Sequence, residues 1–113
     1  MILVIGAASS GKLEYARSMG YIDSDISDGK VTELPVVNNL QDIVFENPSS
    51  IDALYDKLID KDVVICNEVG SGVIPVDKIQ REAREATGRL CIRLAERAEK
   101  VVRLVCGIPT VLK

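Results

Sequence analysis

Gly6-Ala7-Ala8-Ser9-Ser10-Gly11-Lys12 forms a G-x-x-x-x-G-K segment whose residue types suit the holding of phosphate. Gly6 and Gly11 let the backbone curl so that successive N–H groups point inward, and Lys12 adds a full positive charge where they converge. The apolar run Ile2–Ile5 precedes the loop and a helical pattern follows it, the strand-to-helix setting that such a loop requires. One position departs from the pattern. Where a Ser or Thr hydroxyl would ligate Mg²⁺, the chain has Leu13, so the loop is expected to hold an anion without that metal ligand. Residues Gly6, Ala7, Ala8, Ser9, Ser10, Gly11, Lys12 and Leu13 are thus the expected contacts to a nucleotide's phosphates.

Glu68 is the second candidate, because it follows the apolar run Val63–Cys66. If that run is a strand parallel to Ile2–Ile5, both strands deliver their carboxyl ends, and hence Glu68 and the loop, to one sheet edge. A carboxylate there can bind Mg²⁺ directly or through water, or accept a proton from an attacking hydroxyl. A hydrogen-bonded loop carboxylate is the competing reading. Lys12 and Glu68 are the expected catalytic residues. Asn38-Asn39 ends another apolar run, where phosphate-loop enzymes usually place an acid for Mg²⁺; neutral amides are weaker ligands, and no dedicated metal site is expected.

Those residues need a scaffold, and the 113-residue chain has the composition for one: 47% hydrophobic and 27% charged, as in ordinary globular proteins. With 14 basic against 17 acidic residues, the net charge of −3 offers no positive field for nucleic acid or a membrane surface. Histidine is absent, which removes the usual acid–base group at neutral pH. Cys66, Cys91 and Cys106 are widely spaced, match no disulfide framework or zinc pattern, and are expected to be buried, inert thiols. Met1–Ile5 lacks the basic flank of a targeting signal and no apolar stretch approaches a membrane span, so a cytoplasmic location is expected.

Apolar runs alternate with helical patterns along the chain. A short helix is expected from Gly11 to about Met19, then a polar, acidic surface loop over Gly20–Glu33 and a strand over Leu34–Asn39. Ser49 and Ser50 offer helix caps ahead of Ile51, Leu54, Tyr55, Leu58 and Ile59, which recur at the spacing of one helical face. After the strand Val63–Cys66 and the turn Gly70-Ser71-Gly72, a long helix is expected from about Pro75 to about Lys100, with Ile79, Ala83, Ala86, Leu90, Leu94 and Ala98 as its stripe. Its Lys78, Arg81, Arg84, Arg89, Arg93 and Arg97 interleave with glutamates and read as a solvated face. Val101–Cys106 is the last strand, before an apolar tail. The order predicts an α/β, P-loop NTPase-like three-layer domain with about four parallel strands, residues 1–113 making a single nucleotide-binding domain.

The block Val63–Lys113 resembles the C-terminal half of the adenosylcobinamide kinase/adenosylcobinamide-phosphate guanylyltransferase family. Asn67-Glu68-Val69-Gly70, Gly72, Pro75, Gly88-Arg89-Leu90 and Gly107-Ile108-Pro109 carry the likeness. The opening MILVIGAASSGK looks like the family's phosphate loop, and Pro35–Val44 aligns weakly with its acidic strand, Asn38 standing where the acid would be. The resemblance implies ATP or GTP as nucleotide, a corrinoid such as adenosylcobinamide as partner, a homo-oligomer, and a setting in cobalamin biosynthesis. Family members are longer between the first helix and Pro35, the stretch that bears the histidine accepting GMP. With no histidine in this chain, the resemblance does not extend to histidine-dependent guanylyl transfer. Two readings stay open: a cobinamide kinase-type phosphotransferase, and a non-catalytic relative that senses nucleotide or corrinoid phosphate or serves as a partner subunit.

Overall fold

The computed structural model describes residues 1–68 and 77–113. Its strands are β1 (Ile2–Gly6), β2 (Ile26–Asp28), β3 (Val36–Asn38), β4 (Val63–Asn67), β5 (Lys100–Val105) and β6 (Ile108–Val111). The helices are α1 (Lys12–Ser18), α2 (Leu40–Glu46), α3 (Ile51–Leu58) and α4 (Lys78–Arg97). One sheet of six strands runs in the order β2-β3-β4-β1-β5-β6, parallel throughout except that β6 runs antiparallel to β5.

The sheet is apolar on both faces, as the continuous runs in β1 and β4 require of buried parallel strands. Alternate residues serve opposite layers. Leu3, Val64, Cys66 and Val101 pack with Leu40, Val44, Leu54, Leu58, Leu90 and Leu94 from α2, α3 and α4. Val4, Val63, Ile65, Val102 and Leu104 pack with Ala16 of α1 on the other side. The fold is thus the expected α/β, P-loop NTPase-like arrangement, with six strands rather than four.

Both additional strands have a local cause. β2 lies inside the segment expected to be a loop; it is three residues long and buries only Ser27, whose hydroxyl donates to the Val36 carbonyl at 3.2 Å. So short a strand leaves no periodicity to detect. β6 is the expected tail, folded back through Cys106 (φ 50°) and Gly107 (φ 77°), the pair of positive φ values that closes a two-residue hairpin. Pro109 is tolerated because β6 is an edge strand.

Helix α2 went unread, although Leu40, Ile43 and Val44 carry helical spacing, because its seven residues follow directly on β3. The expected face of α3 packs as predicted, but neither Ser49 nor Ser50 caps it: Ser49 Oγ donates to Asn47 Oδ1 at 2.9 Å, and Ser50 makes no side-chain cap bond. Helix α4 starts at Lys78, where Asp77 Oδ1 accepts from the Ile79 N–H at 2.8 Å. Its stripe is buried from Ala83 to Leu94, whereas Ile79 is 68% exposed on the first turn. Gly70-Ser71-Gly72 and Pro75 lie outside the described residues. Among the described residues, no helix is long and apolar enough to cross a membrane.

Candidate functional site

Strand β1 runs in the middle of the sheet and ends at Gly6, delivering the loop Ala7–Gly11 to the edge where β3 and β4 also end. Gly6 is there because nothing larger fits. A Cβ at that position would lie 2.7 Å from the Leu104 carbonyl oxygen and 2.5 Å from Ser10 Oγ. The chain turns back at Ser9 (φ 58°) and Gly11 (φ 97°) and enters α1 at Lys12. Inside the turn, the Ser10 N–H donates to the Ala7 carbonyl at 3.3 Å.

Lys12 folds back over the loop and donates from Nζ to the Ala7 carbonyl at 2.6 Å. Burial lowers its pKa from the usual lysine value, opposed by the nearby negative charges of Glu68 and Glu14. Ser10 Oγ is buried and has no hydrogen-bond partner among the described residues. A hydroxyl left unpaired in the interior is costly, so this atom is poised for an acceptor brought by a ligand. A pocket of about 240 Å³ opens in front of the loop, lined by Ala8 to Glu14 on one wall and by Asn38, Asn39 and Asn67 on the other. Converging loop groups, a buried lysine and an orphan hydroxyl suit a phosphate chain there.

The strand tips form a hydrogen-bonded frame. Asn38 Nδ2 and Asn39 Nδ2 both donate to Asp28 Oδ1, at 3.3 and 2.6 Å. Gln41 then donates to Asn39 Oδ1 at 3.0 Å and accepts from the Asn67 N–H at 2.9 Å. Asp28, read in sequence as part of an acidic loop, therefore supplies the carboxylate behind the β3 tip. Its neighbours have local tasks: Asp23 pairs with Arg17 at 3.0 Å, and Asp25 accepts from the Ile22 N–H at 2.9 Å.

Glu68 sits one residue past β4, and its N–H donates to the Gly6 carbonyl at 2.8 Å, which brings it beside the loop as its sequence position suggested. Its carboxylate is held by Arg103 of β5, with Nε to Oε1 at 2.5 Å and Nη2 to Oε2 at 3.1 Å. The pairing pushes the Arg103 pKa up, through the hydrogen bond and then the charge of Glu68. Arg103 was missed, though a charge inside the otherwise apolar Val101–Val105 was a visible signal.

The donor set does not suit a dedicated Mg²⁺ site. Leu13 packs against the α1-side core and brings no oxygen, Glu68 is forked by Arg103, and the Asn38 and Asn39 side chains offer amide oxygens, weaker ligands than carboxylates. Among the described residues, no group of three or more His, Cys, Asp or Glu side chains is placed to hold a metal. The cysteines differ from the expectation of three buried thiols: Cys66 is buried, Cys91 is half-buried, and Cys106 is exposed at the hairpin turn. The hydrogen bond with Cys91 and burial both push the Cys66 thiol well above its ordinary pKa.

Comparison with known proteins adds a family assignment. A model of the family described as cobinamide kinase / cobinamide phosphate guanyltransferase matches residues 34–112. The match takes in the weakly aligned Pro35–Val44 segment and leaves the Gly6–Lys12 loop to stand on its own motif and geometry. The chain is 40% identical over 53 residues, 47% of its length, to the bifunctional adenosylcobalamin biosynthesis protein CobU of Salmonella typhimurium, of which that stretch covers 29%. To the bifunctional adenosylcobalamin biosynthesis protein CobP of Pseudomonas aeruginosa it is 28% identical over 78 residues, 63% of this chain and 45% of the relative. The matched stretches thus span less than half the length of either relative.

Proposed function

Because this chain belongs to the cobinamide kinase / cobinamide phosphate guanyltransferase family, we propose that residues 1–113 form one nucleotide-binding domain that holds ATP or GTP and transfers a phosphoryl group to the hydroxyl of a corrinoid such as adenosylcobinamide. The observation that carries this reading is the buried Ser10 Oγ inside the G-x-x-x-x-G-K turn, which has no partner among the described residues. In the proposed mechanism, Lys12 leaves the Ala7 carbonyl for phosphate oxygens and, with the loop groups, neutralises charge as the bond to the leaving phosphate lengthens. Glu68 accepts the proton of the attacking hydroxyl. No step is routed through Mg²⁺, since the donor set does not suit it. Guanylyl transfer through a histidine is not part of the proposal, because the sequence holds no histidine.

A second reading, a non-catalytic binder of nucleotide or corrinoid phosphate, is favoured by two features: Leu13 stands where a metal-ligating hydroxyl would, half-buried against the core, and Glu68 is already paired with Arg103. Incubation with adenosylcobinamide and labelled ATP or GTP separates the readings. Transfer of label to the corrinoid, lost in Glu68→Gln while nucleotide still raises the melting temperature, supports the kinase. A nucleotide-dependent rise in melting temperature with no transfer supports the binder.

A further inference from the structure

Strands β4 and β5 are not neighbours; β1 lies between them. The Arg103–Glu68 fork therefore spans the strand that feeds the phosphate loop, joining residues 35 positions apart at 2.5 and 3.1 Å. The bridge is at the surface, with the Arg103 side chain 49% and the Glu68 side chain 21% exposed. Ion pairs in that setting are weak enough to exchange partners. A pocket of about 260 Å³ is lined by loop residues Ala7 to Ser10 together with Glu68 and Arg103, so Arg103 and the loop border one space. The loop's own full positive charge is Lys12, and Leu13 brings neither a hydroxyl nor a metal to share the load.

We propose that Arg103 is a polyphosphate-binding residue that exchanges between Glu68 and the nucleotide. This rests on the reading that the Gly6–Lys12 loop holds phosphate. With the pocket empty of ligand, the guanidinium forks the Glu68 carboxylate. When a nucleoside triphosphate enters, it moves to the phosphate oxygens, which accept the same two-point geometry and carry more charge. Arg103 then supplies the charge that a Ser/Thr–Mg²⁺ pair supplies elsewhere, and its departure frees Glu68 to accept a proton. Binding of polyphosphate should accordingly need no divalent cation.

The test is calorimetry of inorganic tripolyphosphate with the full chain in EDTA. Wild type should bind; Arg103→Leu should lose affinity by about tenfold or more, and Arg103→Lys should fall between, since it keeps the charge without the fork. Glu68→Gln should bind as tightly as wild type or tighter, because the guanidinium no longer has to leave a carboxylate. Unchanged affinity in Arg103→Leu overturns the inference, as does equal weakening by Glu68→Gln, a variant that also decides the matter should Arg103→Leu fold poorly. Lys12→Ala separates the two levels. Binding that depends on Lys12 but not on Arg103 leaves the phosphate loop standing and removes the exchange; binding indifferent to Lys12, or no binding by wild type, removes both.

Discussion

The Gly107 N–H donates to the Ser10 carbonyl at 2.8 Å, which ties the β5–β6 hairpin turn to the phosphate loop. The approach is close: a Cβ on Gly11 would come within 3.1 Å of Gly107 Cα. The loop is thus braced from the β5 side as well as by its own Ala7–Ser10 turn, and its shape depends on residues nearly a hundred positions away in sequence. Preorganisation of this kind lets a loop present its N–H groups without a large ordering cost on binding.

The same crowding sets the first prediction. Gly6→Ala forces a methyl against the Leu104 carbonyl, which belongs to the backbone and cannot swing aside. Overpacking of this sort costs about 1–3 kcal/mol. Urea unfolding of the variant should show that loss; a change within about 0.5 kcal/mol, the range of neutral surface substitutions, would mean the loop relaxes freely there.

Cys106 should be the thiol that reacts first. It is exposed at the turn, whereas Cys66 is buried, and its free thiol is pushed well above the ordinary pKa by a hydrogen bond with Cys91 and by burial. Iodoacetamide followed by peptide mass mapping should find Cys106 labelled well before Cys66 in the native chain. Polyphosphate drawn toward Arg103 should slow that labelling, since Cys106 lines the pocket bordered by Ala7–Ser10, Glu68 and Arg103. Equal rates at Cys66 and Cys106 would contradict the burial.

Tyr21 links the segment after α1 to the start of β4, its hydroxyl donating to Asp62 Oδ2 at 3.0 Å. Burial, then that hydrogen bond, raises its pKa above the ordinary 10.0. A raised folded value means the contribution to stability is fully present below 10.0 and is lost as pH rises through the folded pKa. Tyr21→Phe should therefore be less stable than wild type at neutral pH, with the gap closing above 10.0. A gap that persists or widens in alkali would show that the phenol contributes by packing rather than by its proton.

Much of this architecture was legible because long apolar runs and long helical stripes have few interpretations. Ile2–Ile5 and Val63–Cys66 bury both faces, and Ala83, Ala86, Leu90 and Leu94 repeat over several turns of α4. The elements that escaped are short. Strand β2 has three residues and buries one of them, and its existence depends on pairing with β3 rather than on its own pattern. The site was legible to the extent that it is local: the G-x-x-x-x-G-K turn lies within seven consecutive residues. Arg103, Asp28 and Gly107 reach it only through the strand order, which no spacing in the chain records. Cys106 was misread for a related reason, since an apolar run ended in a hairpin turn rather than continuing into the core.

The central claim is that the Gly6–Lys12 loop holds the phosphates of a nucleotide, and isothermal titration of ATP and GTP into wild type and Lys12→Ala tests it most directly. Lys12 is the charge folded over the loop, donating to Ala7 at 2.6 Å until a better acceptor arrives. Wild type should bind at least one of the two nucleotides, and Lys12→Ala should weaken that binding by about tenfold or more, some 1.4 kcal/mol. Equal affinity in the two proteins, or no binding of either nucleotide by wild type, would contradict the account.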